Sequence, residues 1–133
     1  MRTRIIVGVT LLIALFGVGT YVSRAGEVGG HRQWAAINFV DPVQVQDQII
    51  MGPVLIVHDD EKMGRGEACT TFYRFDPAKG PQEKILSFHC RPVQRTVADR
   101  TTFSLVDNPA ASCKRLTEYQ IAGDSEAHGI PSK

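Results

Sequence analysis

The sequence predicts an all-β domain, a small antiparallel β-sandwich or barrel-like meander, that follows an N-terminal membrane helix. Two observations predict this arrangement. An uncharged, largely apolar run of 18 residues extends from Ile5 to Val22. After it, short β-branched and aromatic segments alternate with clusters of Gly, Pro, Asp and Asn, which is the pattern of strands joined by turns.

The N-terminal run is long enough to cross a membrane. As a helix it would extend about 27 Å at ~1.5 Å per residue, close to the thickness of the hydrocarbon core. Arg2 and Arg4 precede the run, and positive charge there orients the N-terminus toward the cytoplasm. The alternative is a signal peptide cleaved after Ala25. Residues 26–133 are therefore expected to be extracytoplasmic, either anchored in the periplasm or at the cell surface, or secreted after cleavage.

The sequence divides into four parts. Residues 1–25 are the membrane anchor or signal peptide, 26–42 a linker and connector, 43–122 the β-domain and 123–133 a polar tail. In the connector, apolar residues spaced by three between His31 and Val40 leave a helix open as an alternative. The tail is expected to be irregular.

The first three strands are predicted from alternation and from β-branched composition. Val43–Gln46 alternates apolar and polar residues, as a half-buried strand does. Val54–Val57 is a continuous apolar run after the break at Gly52-Pro53, typical of a strand buried on both faces. The charged loop Asp59–Glu67 then leads to Cys69–Phe75, which is rich in Thr and aromatic residues.

The next three strands are bounded by turn residues. Lys84–Cys90 follows the turn between Asp76 and Pro81 and stops at Arg91-Pro92. Thr101–Val106 precedes an Asp-Asn-Pro turn, and Cys113–Ile121 is the last strand of the β-domain. Because the connections are short, we expect neighbouring strands to be antiparallel.

Cys69 and Cys90 are predicted to form a disulfide. In an unbroken hairpin register Thr71 pairs with Phe88 and Cys69 lies opposite Cys90, at a separation that a disulfide can span. The period of two then places Cys69, Thr71 and Tyr73 on one inward face. An oxidising compartment preserves such a bond, and the alternative is that the cysteines are buried free thiols. Cys113 is left without a partner.

The candidate metal ligands are His58, Met63, His89 and His128. His and Met together with a thiolate suit copper, whereas His with carboxylates suits zinc. No Cys-x-x-Cys or His-Glu-x-x-His spacing accompanies them. By strand alternation, His89 lies on the face opposite Cys90, so these two residues are not expected to share one metal.

The net charge of the chain and the absence of catalytic motifs limit the classes of function that it could have. Residues 26–133 carry 12 basic and 14 acidic side chains, a formal net charge of −2 with neutral His. No basic patch is present, which argues against a nucleic-acid partner. Because no Gly-x-Ser-x-Gly or other catalytic signature occurs, we predict a non-enzymatic binding or accessory component of the cell envelope. It would need no cofactor and would contact the membrane and an envelope protein that the sequence does not identify. The alternative is an extracytoplasmic protein that binds copper or zinc.

Overall fold

The structure, a computed structural model, describes residues 24–28 and 32–133. It is mostly β, as the sequence predicts. In the described ranges the strands are β1 Arg24–Val28, β2 Arg32–Val45, β3 Gln48–Asp59, β4 Thr70–Asp76, β5 Gly80–Phe88, β6 Arg91–Gln94, β7 Thr102–Asn108, β8 Cys113–Gln120 and β9 Glu126–Gly129. A short helix, α1, follows β3 at Asp60–Gly64, and a 3-10 helix at Pro109–Ala111 precedes β8.

These strands form one curled sheet shaped like half a barrel. The order β5-β4-β3-β2 is antiparallel throughout, and it continues through β8 and β9 to β6. β1 pairs with the first residues of β2, and β7 pairs with β8. The contact between β2 and β8 is parallel and brief, at Val43 and Gln44. It nevertheless joins the N-terminal and C-terminal strands in one sheet.

β2 is irregular near its middle, where its pairing with β3 shifts register between Phe39 and Val43. β1 pairs with β2 before this shift, and β8 pairs with β2 after it. An irregularity of this kind bends a strand and increases its local twist, so it contributes to the curl of the sheet.

The apolar core is built from alternate residues of the central strands. Val43 and Val45 of β2 and Val54 and Ile56 of β3 are almost completely buried. Phe72, Leu116, Tyr119 and Ile121 complete the centre of the core. Burying each such side chain contributes about 1.5–3 kcal/mol, and together these residues position the neighbouring polar side chains.

The sheet extends beyond the predicted β-domain on both sides. The segment from His31 to Val40, for which a helix is the alternative prediction, belongs to strand β2 from Arg32 onward. The tail is not irregular, because β9 pairs with both β8 and β6 and Ile130 is buried after it. β3 also continues through Gly52, which takes a φ of +92° inside the strand instead of ending it.

The predicted membrane segment Ile5–Val22 lies outside the described residues. Within the described part of the chain, neither helix has the length and apolar character that a membrane span requires.

Candidate metal centre

Two cysteine sulfurs lie in contact at one end of the β4–β5 hairpin. Cys69 directly precedes β4, and its backbone N–H donates a hydrogen bond to the carbonyl oxygen of Phe88 at 3.1 Å. Cys90 follows β5, and its backbone N–H donates to Cys69 Sγ at 3.1 Å. The two Sγ atoms are 2.7 Å apart, and both side chains are buried. Both are free thiols in the structure, so the disulfide stays a prediction.

The predicted register of this hairpin is wrong by one residue. Thr70, not Thr71, pairs with Phe88, and Thr70 is the buried residue of the two. The reason is that the turn is tighter than predicted, because Phe75 pairs with Pro81 and not with Lys84. Register shifts on both sides of Tyr73 then reduce this three-residue error to one residue at Thr70. Cys90 reaches Cys69 from beyond the end of β5, so the sulfurs meet without being partners in the ladder.

Two buried histidines approach the same sulfur from two other strands. His58 lies near the end of β3, and its Nε2 is 3.4 Å from Cys90 Sγ. His128 belongs to β9, and its Nδ1 is 3.6 Å from Cys90 Sγ. The two imidazole rings stack with centroids 3.8 Å apart, and neither ring is exposed to solvent. One donor atom from each of His58, Cys69 and Cys90 lies within 4.8 Å of the others, which makes this group compact enough to hold a metal ion.

Carboxylates lie beside the outer nitrogens of both rings. Asp60 Oδ1 is 3.2 Å from His58 Nδ1, and Asp124 Oδ2 is 3.8 Å from His128 Nε2. Among the described residues, neither ring nitrogen has a hydrogen-bond partner of acceptable geometry. A histidine that binds a metal through one nitrogen usually directs the other toward a carboxylate or carbonyl, and both rings have this orientation relative to Cys90.

A third sulfur comes from helix α1. The Asp59 carboxylate caps α1 by accepting hydrogen bonds from the backbone N–H groups of Glu61 at 3.0 Å and Lys62 at 3.3 Å. The helix places Met63 Sδ 3.8 Å from Cys90 Sγ. Met63 is partly buried against the core, so its thioether lies between the thiols and the exposed residues of α1.

One cysteine and one histidine of this group are held in the protonation state that metals bind. The hydrogen bond with the Cys90 thiol lowers the pKa of Cys69, and the same hydrogen bond together with burial raises the pKa of Cys90. The pair therefore holds one proton, which stays on Cys90, and Cys69 is the thiolate. Burial and the neighbouring His58 lower the pKa of His128 to about 4, which leaves its ring neutral at pH 7. Thiolates and neutral imidazoles are the forms that ligate metals.

The structure separates the predicted ligands into two groups. It brings His58, Met63 and His128 together, whereas the side chain of His89 is exposed beside the buried Cys90. Cys113 is half-buried at the start of β8 and takes no part in the group. Sequence reasoning assigned Cys69 and Cys90 to a disulfide, so it did not include them among the candidate ligands beside these histidines.

Comparison with family models, with curated proteins and with solved structures finds no match for this chain. The geometry of the centre is therefore the basis for any functional inference.

Proposed function

We propose that this chain is a metal-binding protein that holds a copper or zinc ion between His58, Cys69, Cys90 and His128. The observation that carries the proposal is that donor atoms of the buried His58, Cys69 and Cys90 lie within 4.8 Å of one another, with His128 Nδ1 of β9 3.6 Å from Cys90 Sγ. Two thiolates and two imidazoles form a donor set that both zinc and copper accept.

A purely structural role explains this cluster less well. Burying a polar group without a partner costs about 1–3 kcal/mol in proteins, and two buried ring nitrogens here lack a hydrogen bond within the described part of the chain. A metal ion bound to the inner nitrogens would fix both rings and strengthen the interaction of the outer N–H groups with Asp60 and Asp124. The arrangement therefore suits a ligand set and is unfavourable for packing alone.

Met63 favours copper(I) as the ion. A thioether is a soft ligand that contributes to copper(I) sites, whereas zinc is satisfied by thiolates, imidazoles and carboxylates. Because Met63 Sδ is 3.8 Å from Cys90 Sγ, a small movement of a flexible side chain is enough for it to approach an ion bound to that sulfur.

The proposal includes an extracytoplasmic location. Arg2, Arg4 and the apolar run Ile5–Val22 support it. A reporter that is active only in the cytoplasm, fused after Lys133, should remain inactive. Strong reporter activity would mean that the C-terminus lies in the cytoplasm, and it would leave the metal proposal unaffected.

Elemental analysis of the full-length protein, purified under reducing conditions, tests the metal proposal. We expect about one copper or zinc ion per chain, as a single site would give, and we expect Cys90→Ser and His58→Gln to lose it. Cys113→Ser and His89→Gln are the matched controls, because they change the same residue types outside the cluster, and they should retain the metal. Metal-free wild type that also fails to take up added copper(I) or zinc would refute the proposal.

A second candidate is a non-enzymatic accessory component of the cell envelope that binds a protein partner. Val40, Ile49 and Met51 favour it, since each is at least half exposed on the β2–β3 hairpin, and exposed apolar patches often mark interaction sites. If elemental analysis shows no metal, this candidate becomes the leading one.

A further inference from the structure

Because the sulfurs of Cys69 and Cys90 are in contact, they can either bind a metal ion together or form a disulfide with each other, but not both at once. We propose that the centre is controlled by thiol–disulfide exchange: the reduced pair binds the metal ion, and oxidation of the metal-free pair to a Cys69–Cys90 disulfide abolishes binding. This inference rests on the proposed function, because it describes the regulation of the same site.

The backbone already holds the two cysteines at bonding range. The hydrogen bonds from Cys69 N–H to Phe88 and from Cys90 N–H to Cys69 Sγ fix the two residues relative to each other. The Sγ atoms are 2.7 Å apart, and a disulfide needs about 2.05 Å. The sulfurs therefore have to move by less than about 1 Å to form the bond, so no rearrangement of the hairpin is required.

The same two atoms are needed as thiolates by the metal. A bound zinc or copper ion requires each sulfur to direct a lone pair and a negative charge toward it, at about 2.3 Å for zinc. A sulfur in a disulfide carries no such charge. His58 and His128 would remain after oxidation, but two imidazoles form a much weaker site than the complete set.

The oxidation is a two-electron exchange with a disulfide-bearing molecule. The thiolate of one cysteine attacks a sulfur of that disulfide, which forms a mixed disulfide and releases one thiolate. The thiolate of the second cysteine then attacks the protein sulfur of the mixed disulfide and releases the other thiolate. The protein loses two electrons and the two thiol protons, and the partner disulfide gains them as two thiols.

Because both sulfurs are buried, a bound metal ion would protect them from oxidation. Cys69 is 2% exposed and Cys90 is not exposed, and Met63 on the exposed helix α1 contacts Cys90. An oxidant therefore reaches the pair only after a local movement that exposes the sulfurs. An ion that joins Met63, the two cysteines and the two histidines would oppose this movement, so we expect the metal-bound protein to resist oxidation.

The test uses full-length protein, equilibrated in a series of glutathione buffers in which the oxidised fraction increases. Zinc(II) is the metal probe, because zinc has no redox chemistry. Free thiols are trapped by alkylation and located by peptide mass analysis. Metal-free protein should lose the Cys69 and Cys90 thiols together and keep Cys113. Zinc-loaded protein should keep all three thiols, and the oxidised protein should bind no zinc until it is reduced.

Two variants control the measurement. Cys113→Ser should reproduce the wild-type behaviour with one thiol fewer, whereas Cys90→Ser should form no internal disulfide and bind no zinc. The inference is overturned if oxidised protein binds zinc as well as reduced protein does, if the internal bond includes Cys113, or if the metal-free pair stays reduced in the most oxidising buffer. Reduced protein that binds no zinc or copper would instead refute the proposed function, and the inference with it.

Discussion

At the proposed metal site, Met63 is the residue whose side chain would favour copper over zinc. Its sulfur lies 3.8 Å from Cys90 Sγ and is partly buried, whereas Met51 projects from β3 with 53% of its surface exposed. The two methionines therefore provide a matched pair for testing whether a thioether contributes to binding or only fills space.

We expect Met63→Leu to lower the affinity for copper(I) about tenfold, equivalent to about 1.4 kcal/mol, and to leave the zinc(II) affinity unchanged. The reason is that leucine keeps the volume of methionine but removes the soft sulfur. Competition titrations with a copper(I) chelator and a zinc(II) chelator measure the two affinities. Met51→Leu should change neither of them, and equal losses for both metals in Met63→Leu would indicate a packing role.

Tyr119 links the core to the centre. Its hydroxyl is hydrogen-bonded to that of Thr70, and its ring centroid is 5.0 Å from that of His128. Burial raises the pKa of Tyr119 well above its ordinary value of 10. The unfolded chain would therefore release the tyrosine proton first as the pH rises, and this difference destabilises the folded state above pH 10.

We expect Tyr119→Phe to reduce the free energy of unfolding by about 1–2 kcal/mol at pH 7, because the Thr70 hydroxyl loses its partner. The difference from wild type should narrow above pH 10, since phenylalanine has no proton to lose and only the wild type is destabilised by ionisation of the unfolded chain. Urea denaturation of metal-free protein at several pH values measures both effects. Tyr73→Phe, at a half-buried position, should show a smaller loss, and a constant difference across the pH range would contradict the assignment.

At the scale of elements, the β4–β5 hairpin sets the position of the cysteines through its turn. Asp76 Oδ1 accepts hydrogen bonds from the backbone N–H groups of Ala78 at 2.8 Å and Lys79 at 3.2 Å. Gly80 then starts β5 with a φ of +90°. Asp76 and Gly80 both suit a tight turn at this point. The turn fixes where β5 begins and so contributes to where Cys90 lies.

We expect Gly80→Ala to reduce the free energy of unfolding by about 1–2 kcal/mol, because a Cβ atom disfavours this positive φ. The space around Gly80 is open, and a methyl group there would meet no atom within 4 Å, so the cost comes from the backbone alone. Gly64→Ala, also in open space but at an ordinary helical φ in α1, should be neutral or slightly stabilising. Denaturation followed by Trp34 fluorescence distinguishes the two, and equal effects would contradict this explanation.

At the scale of the whole molecule, the centre joins parts of the chain that are far apart in sequence. His58 comes from β3, the cysteines flank the β4–β5 hairpin, and His128 comes from β9. Among the described residues, the direct pairing between the N-terminal and C-terminal strands is limited to the short parallel contact of β2 with β8. A metal ion bound to these residues would therefore connect the two sides of the curled sheet a second time.

We expect zinc to stabilise the reduced protein by about 2.7 kcal/mol when its free concentration is about a hundred times the dissociation constant. Thermal denaturation should show a rise in Tm with zinc that a chelator reverses. Cys113→Ser should keep the rise, and Cys90→Ser should abolish it. An equal rise in Cys90→Ser would show that zinc binds elsewhere.

Local pattern was sufficient to predict the β class and the approximate positions of six strands. Alternation and β-branched runs depend only on neighbouring residues, and each predicted strand overlaps an observed one. The proximity of Cys69 and Cys90 was also predictable, because a hairpin brings its two ends together even when bulges change its register. The membrane segment Ile5–Val22 stays a prediction from the sequence.

The convergence of His58 and His128 was decided by the tertiary structure. β9 is only four residues long, and it reaches the centre because β8 and β6 pair with its two edges. Such non-local pairing depends on the sum of many contacts and leaves little mark on the local sequence. The register of the β4–β5 hairpin was mispredicted for a related reason, since neither the tight turn that pairs Phe75 with Pro81 nor the two register shifts near Tyr73 leave a mark on the composition. Local physics therefore encodes the strands, whereas the cluster of buried histidines and cysteines forms only once distant strands have packed together.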